Sequence, residues 1–247
     1  MVDYKTNKEK MMADWWQSPL GQAVLLQQQD KLQVLSQYFH GYYQLQLGSK
    51  QSLSPPSPRP SQQKIMASGA DVEGHNEALP FKCHSLDLLL LNHVLEFSAE
   101  PHQVLREAEQ VLVADGTLVV CSFNPWSLWG LRCLLSWQDQ PPWQGQFYRQ
   151  ARIKDWLALL NFEIIASEKL LFSPPIRSLK WFARFSFMER WGKRLWPFWA
   201  GVTILVATKR TIPLTPVTKR WQARQLFPSG SFVNKPATNK ILRENNE

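Results

Sequence analysis

The sequence predicts an α/β fold built on a doubly wound, mostly parallel sheet, and three stretches carry that prediction. Leu86 to Leu91 is an apolar run holding a single acid, Asp87, with the length of a strand buried on both faces. Ser98, Glu100 and Pro101 then mark a helix start, and Val104, Leu105, Ala108, Val111 and Leu112 recur at the spacing of one apolar helix face. After a turn at Ala114, Asp115 and Gly116, Thr117 to Ser122 is a second β-branched apolar run. Strand, crossover helix and strand in that order form a right-handed unit with parallel neighbours. Ligands of such sheets lie beyond the carboxyl ends of the strands, which puts Asn92, His93 and the stretch from Asn124 to Arg132 on the lip of any pocket.

The remaining elements follow in chain order. Leu20 to Phe39 reads as a helix, because Leu20, Val24, Leu25, Leu32, Leu35 and Phe39 share one face and glutamines cover the other. Trp15 and Trp16 precede it, either as packing against the sheet or as a wall over a ligand. Tyr42 to Leu47 is a short strand ending at Gly48, and Lys64 to Ser68 is a shortened one. Between them Pro55, Pro56, Pro58 and Pro60 forbid a helix interior and describe an extended loop over residues 49–63. Asn124 and Pro125 turn the chain and seat Trp126 and Trp129 against the sheet edge or over the pocket. Ile153, Trp156, Leu157 and Leu160 recur as a helix, Phe162 to Ser167 is a strand, and Trp199 to Thr208 supplies the last one.

The order LPF, SLDLLLLNHVLEF and EPHQVLREAEQVLVADGTLVV, with FNPWSLWGLR behind it, resembles the second half of the class I S-adenosylmethionine-dependent methyltransferases, specifically the type-eleven domain. The resemblance runs from about Trp15 to about Lys209 and is strongest between Leu79 and Arg132. It implies a seven-stranded Rossmann-like sheet with its last strand antiparallel, S-adenosylmethionine as cofactor, and methyl transfer to an unidentified substrate; a small molecule and an amphiphile are both open for that substrate. The first glycine motif departs from the family: LQLGSKQSL keeps Gly48, but Gln46 stands where the family has an acid, and Lys50 and Ser52 stand where further glycines belong. The first βα unit is therefore expected to be eroded. By position the resemblance assigns the cofactor to Gly48, His75, Asn76, Glu77, Leu79 and Asn92, with His75 near the family's adenine-binding acid. His93, just after the central strand, is the candidate base or substrate contact; its alternative is a polar cap on the strand end. Family members often carry a histidine where this chain has Phe97. Asn124, Trp126, Trp129 and Arg132 form the candidate substrate lip.

The chain has 247 residues and a formal charge of +8, enough for one large domain and suited to contact with phosphates. The organisation expected is a flexible start at 1–12, a methyltransferase-like domain at 13–209 and a basic disordered tail at 210–247. A basic aromatic insertion at 172–198 contains Arg177, Lys180, Arg184, Arg190, Lys193 and Arg194 against one acid, Glu189. Interleaved aromatics and cations suit an anionic membrane surface, an RNA, a substrate lid, or a helix packed on the sheet. Cys83, Cys121 and Cys133 have no paired spacing, which argues for reduced thiols and against a disulfide framework or zinc site, and no metal cluster is evident. Without a secretory signal or a span long enough for a bilayer, the expected location is cytoplasmic, with peripheral contact at the inner membrane face an open alternative. Three functions compete: a methyltransferase, a methyltransferase-fold scaffold that has lost its cofactor, and a basic RNA-associated module.

Overall fold

In the computed structural model the described residues are 11–53, 62–66, 71–135, 141–175 and 197–211. The elements are α1 (Pro19–Val34), β1 (Tyr43–Leu47), β2 (Gln62–Met66), β3 (Leu86–Asn92), α2 (Pro101–Val111), β4 (Leu112–Phe123), α3 (Leu128–Leu135), α4 (Gln150–Leu159), β5 (Phe162–Leu170) and β6 (Val202–Lys209). Residues 11–16 are also helical. The strands form one sheet in the order β2-β1-β3-β4-β6-β5. β2, β1, β3 and β4 run parallel, and β6 is antiparallel to both β4 and β5.

The expected parallel unit is therefore present, with six strands among the described residues rather than seven. The shortfall lies between β2 and β3. Residues 71–85 make only isolated bridges, Met66 to Val72 and His75 to Ala78, and Gly74 and Pro80 pack there against the Met66 sulfur and one another. Fifteen residues that turn this often cannot provide both a crossover helix and a further strand, since such a connection takes a dozen or more residues by itself. Ala114 to Gly116, expected as a turn, belong to β4: helix α2 passes directly into extended backbone at Leu112, and the irregularity is absorbed by Asp115 at φ 59 and a register shift against β3. The helix predicted to Phe39 ends at Val34 and tightens into a 3-10 turn over Leu35–Tyr38.

Alternation along β3 sends Leu89 and Leu91 to one face and Leu88 and Leu90 to the other. The first face packs on α2 and α4 through Val104, Leu105, Ile153 and Leu157, and the second on α1 and Trp16 through Leu20, Leu25 and Leu32. Ser18 caps α1 by accepting from Gly21 N at 3.1 Å, with Pro19 in the first turn. At the end of α2, buried Lys209 donates to the carbonyls of Glu109 at 2.6 Å and Leu112 at 3.1 Å and pairs with the Glu109 carboxylate. A cation on those free carbonyls favours the negative end of the helix and locks β6 to it. The contacts divide the chain at Ile212, and the tail beyond it lies outside the described residues, as does 176–196 of the basic insertion.

Candidate cofactor and substrate site

At the amino end of β3, the Asp87 carboxylate accepts from the backbone N–H groups of Tyr42 at 2.8 Å and Tyr43 at 2.9 Å, which fixes where β1 begins. At the carboxyl end β1 stops at Gly48, whose φ of +97 and close approach to β3 admit no side chain: a Cβ there would stand 2.1 Å from the Asn92 carbonyl oxygen. The buried Gln46 amide shapes the turn that follows. Its Nε2 donates to Gln51 O at 2.7 Å and Ser49 O at 3.0 Å, and its Oε1 accepts from Leu53 N at 2.8 Å. The neutral amide thus holds a compact turn from Gly48 to Leu53 that needs no acid.

Between the ends of β1 and β3 lies a crevice bordered by Gly48, Lys50, Asn76, His93, Val94 and Phe97, with Met12 and Ala13 over it. Its enclosed room is about 60 Å³. His93, at φ 53 and 2% exposed, sits between the rings of Phe123 at 3.9 Å and Trp16 at 5.4 Å. Its Nδ1 lies 3.1 Å from Glu96 Oε1 and its Nε2 2.6 Å from the Gln28 amide nitrogen. In the tautomer that donates from Nδ1 to the carboxylate, Nε2 accepts from Gln28. Glu96 Oε1 also accepts from Phe123 N at 2.7 Å, so this chain of groups joins α1, β3 and β4. Around it stand buried polar atoms without partners: both side-chain atoms of Asn92, Trp16 Nε1, Gln28 Oε1 and Glu96 Oε2. The Cys121 thiol, paired in register with Asn92, is pushed far up by burial and secondarily by the Glu96 charge, and it stays protonated.

The predicted cofactor residues part company. Gly48, Asn76 and His93 share the crevice, whereas Asn92, the neighbour of His93 in the chain, is fully buried and is not among the residues that line it. His75 is exposed in a bridge with Ala78, Glu77 accepts from Ser98 Oγ at 2.6 Å, and Leu79 is in the core with its N–H donated to Glu107. Of the predicted lip, Asn124 is consumed by structure: its Nδ2 donates to Phe198 O and Ala200 O, and its Oδ1 accepts from Trp126 N. Trp129 is buried, donates to Ser173 O at 3.0 Å and stacks on Phe123. Arg132 donates to Pro175 O and covers the Trp143 ring. Trp126 alone of the four stands open, 62% exposed, with Arg149 at 4.6 Å over its ring.

Sequence reasoning missed Gln28, Glu96 and Arg149. A glutamine between Leu25 and Leu32 on the apolar stripe of α1 was the available signal for the first, and an acid three residues after His93 inside an apolar stretch for the second. Among the described residues no three His, Cys, Asp or Glu side chains gather as a metal group, and no helix is long and apolar enough to cross a membrane.

Residues 53–120 match the family model of a methyltransferase domain. An uncharacterized protein of Escherichia coli, YafS, is 35% identical over 181 residues, covering 71% of this chain and 66% of that protein. An uncharacterized protein of Mycobacterium tuberculosis is 31% identical over 104 residues, covering 40% of this chain and 35% of its own length. The chain thus spans just under two thirds of the first relative and about a third of the second. The fold is shared with the crystal structure of a Thermotoga maritima S-adenosylmethionine-dependent methyltransferase, described as a possible histamine N-methyltransferase, at a TM-score of 0.50 and 17% identity over 72% of this chain and 87% of that one. The sheet order and the crevice at its switch point agree with the methyltransferase domain matched over residues 53–120, and the chain has the Rossmann-like methyltransferase fold.

Proposed function

We propose that the protein is a methyltransferase that uses S-adenosylmethionine, held at the carboxyl ends of β1 and β3, and acts on a small amphiphilic acceptor. The observation that supports it most is Asn92, a fully buried amide whose two polar atoms lack partners, at the end of β3 and next in the chain to His93 of the switch-point crevice. A buried amide without partners costs about 1–3 kcal/mol per group, so its retention argues for a polar ligand or ordered water against it. The donor set fits the cofactor: Gly48 lets the backbone come close, Asn76 lines the crevice with donor and acceptor, and Lys50 brings a cation for a carboxylate. The room fits only once Met12 and Ala13 leave, because ligand pockets of this kind measure about 300–1,000 Å³.

When bound, the sulfonium would supply an electrophilic methyl carbon for an acceptor lone pair. The protein's own part is positioning, since in-line transfer needs reactants held at about 3–3.5 Å. Both ring nitrogens of His93 are engaged and its side chain is closed off from solvent, which disfavours a role as base toward a substrate proton. We assign it instead to holding the β3 end against α1 and β4. Met12 and Ala13 exclude water from the crevice.

Calorimetric titration with S-adenosylmethionine and S-adenosylhomocysteine tests the proposal. Saturable heat at one site per chain is expected; folded protein that gives none at millimolar ligand overturns it. The narrow crevice favours the second reading, a scaffold that has lost the cofactor, and the same null titration would establish it. The membrane and RNA alternatives rest on residues 177–194 and the tail, outside the described residues.

A further inference from the structure

Beyond the crevice a second cavity opens between α3 and the segment from Gly145 to Arg149, about 680 Å³ in volume and lined by Trp126, Leu131, Leu134, Phe147, Arg149 and Trp199 among others. Helix α3 explains its character. Trp129 and Gly130 face the interior, where a Cβ on Gly130 would stand 2.1 Å from Pro125 O, and the opposite face leaves Leu131 half exposed and Leu134 82% exposed. The groove is thus apolar by construction, of the size that takes a drug-sized ligand, and contiguous patches of this kind on a protein surface mark binding sites. Its charge is one-sided: Arg149 is the single ionised side chain among the described residues that line it, held at the rim by stacking on Trp126, and no carboxylate lines it.

The wall between groove and crevice is one ring thick. Phe97 borders the crevice, and its ring edge would lie 2.9 Å from a Cβ on Gly145, which borders the groove. Gln146, the next lining residue, donates its N–H to Glu96 O at 2.8 Å and pins that wall to the His93 network. A bulkier residue at 145 would drive Phe97 into the crevice, so the glycine sets the spacing of the two sites.

We infer that this groove binds the hydrocarbon chain of a single-chain anionic amphiphile, a long-chain carboxylate or alkyl phosphate, with the anionic head at Arg149. That the bound amphiphile is the methyl acceptor rests on the proposed methyl transfer; that the groove binds it does not. A monomeric ligand is preferred to a bilayer because the lining is concave and carries one cation at its rim, whereas surface attachment draws on several cations around an apolar face.

The test is a titration of the full chain with dodecyl phosphate and with palmitate, each kept below its micellar concentration, in the absence of any methyl donor. Saturation at one molecule per chain is expected. Leu131→Asp and Leu134→Asp, both at exposed positions and checked for unchanged melting, should each weaken binding by roughly tenfold. Arg149→Gln should weaken dodecyl phosphate severalfold and leave dodecanol unaffected. Absence of saturation, or equal binding by the Asp variants, overturns the inference, and so does sedimentation with phosphatidylglycerol vesicles without binding of monomeric probe, which would make the face a membrane contact. Binding of dodecyl phosphate by a chain that ignores S-adenosylhomocysteine would keep the groove and remove the enzyme; the converse would remove the groove alone.

Discussion

The two ends of β3 are built from similar materials and do opposite things. At the amino end Gly41 at φ +101 brings β1 so close that a Cβ would stand 2.0 Å from the Asp87 Cβ, and the Asp87 carboxylate is used up on two backbone N–H groups. At the carboxyl end Gly48 brings β1 equally close to the Asn92 carbonyl, but the Asn92 amide beside it is buried with no partner. A polar group that is satisfied holds a fold together; one that is buried and unsatisfied subtracts from stability and is kept for another reason. On the proposed function, the difference separates structure from ligand binding along a single strand of seven residues.

Alanine at either glycine should break the comparison most sharply. Gly41→Ala and Gly48→Ala each place a side chain in a backbone conformation and a space that reject it, at a cost of about 3 kcal/mol or more. Denaturant unfolding should show both losses. Only Gly48→Ala should also abolish S-adenosylhomocysteine binding, measured under conditions where both variants remain folded.

The polar residues should then separate the two effects. Asp87→Ala removes two charge-assisted hydrogen bonds at a partly exposed site and should cost about 2 kcal/mol with ligand binding unchanged. Asn92→Leu should do the reverse: stability level or improved, because unpaired polar atoms are replaced by apolar ones among Leu88 and Leu90, and affinity reduced by at least about tenfold. Met12→Ala thins the cover over the crevice and should raise affinity severalfold while costing about 2 kcal/mol of packing.

The smallest effect is a pH dependence. Burial raises the Cys121 thiol above its unfolded value, so the folded state keeps a proton that the unfolded chain releases above about pH 8.5. Its contribution is complete below that pH and declines above it at about 1.4 kcal/mol per unit. Cys133 and Tyr148, raised by burial to a lesser degree, add to the slope from about pH 8.5 and 10. Cys121→Val should flatten the first part of that decline in melts between pH 8 and 10, and iodoacetamide should label exposed Cys83 while sparing Cys121.

The unit from Leu86 to Phe123 was legible because its period, caps and apolar runs all agree, and a buried parallel strand leaves little else for LDLLLLN to be. The strand count was not, because the family resemblance supplies a seventh strand, whereas the described residues 71–85 between β2 and β3 make only isolated bridges. Site residues were legible in proportion to how far backbone position alone determines them. Gly48 and Asn92 stand at the ends of strands, so their place at the carboxyl edge of the sheet was legible; Trp126 and Trp129 are three residues apart, and only the docking of α3 decides that one is solvent-facing and the other core. Gln28 meets His93 across 65 positions of chain, a contact that no local pattern encodes.

Hydrogen exchange with and without saturating S-adenosylhomocysteine tests the central claim most directly. Protection over Gln46 to Leu53 and Asn92 to Phe97, with faster exchange over residues 11–16 as Met12 and Ala13 give way, is the predicted result. Unchanged exchange in all three stretches at saturating ligand, or protection confined to other strands, would contradict it.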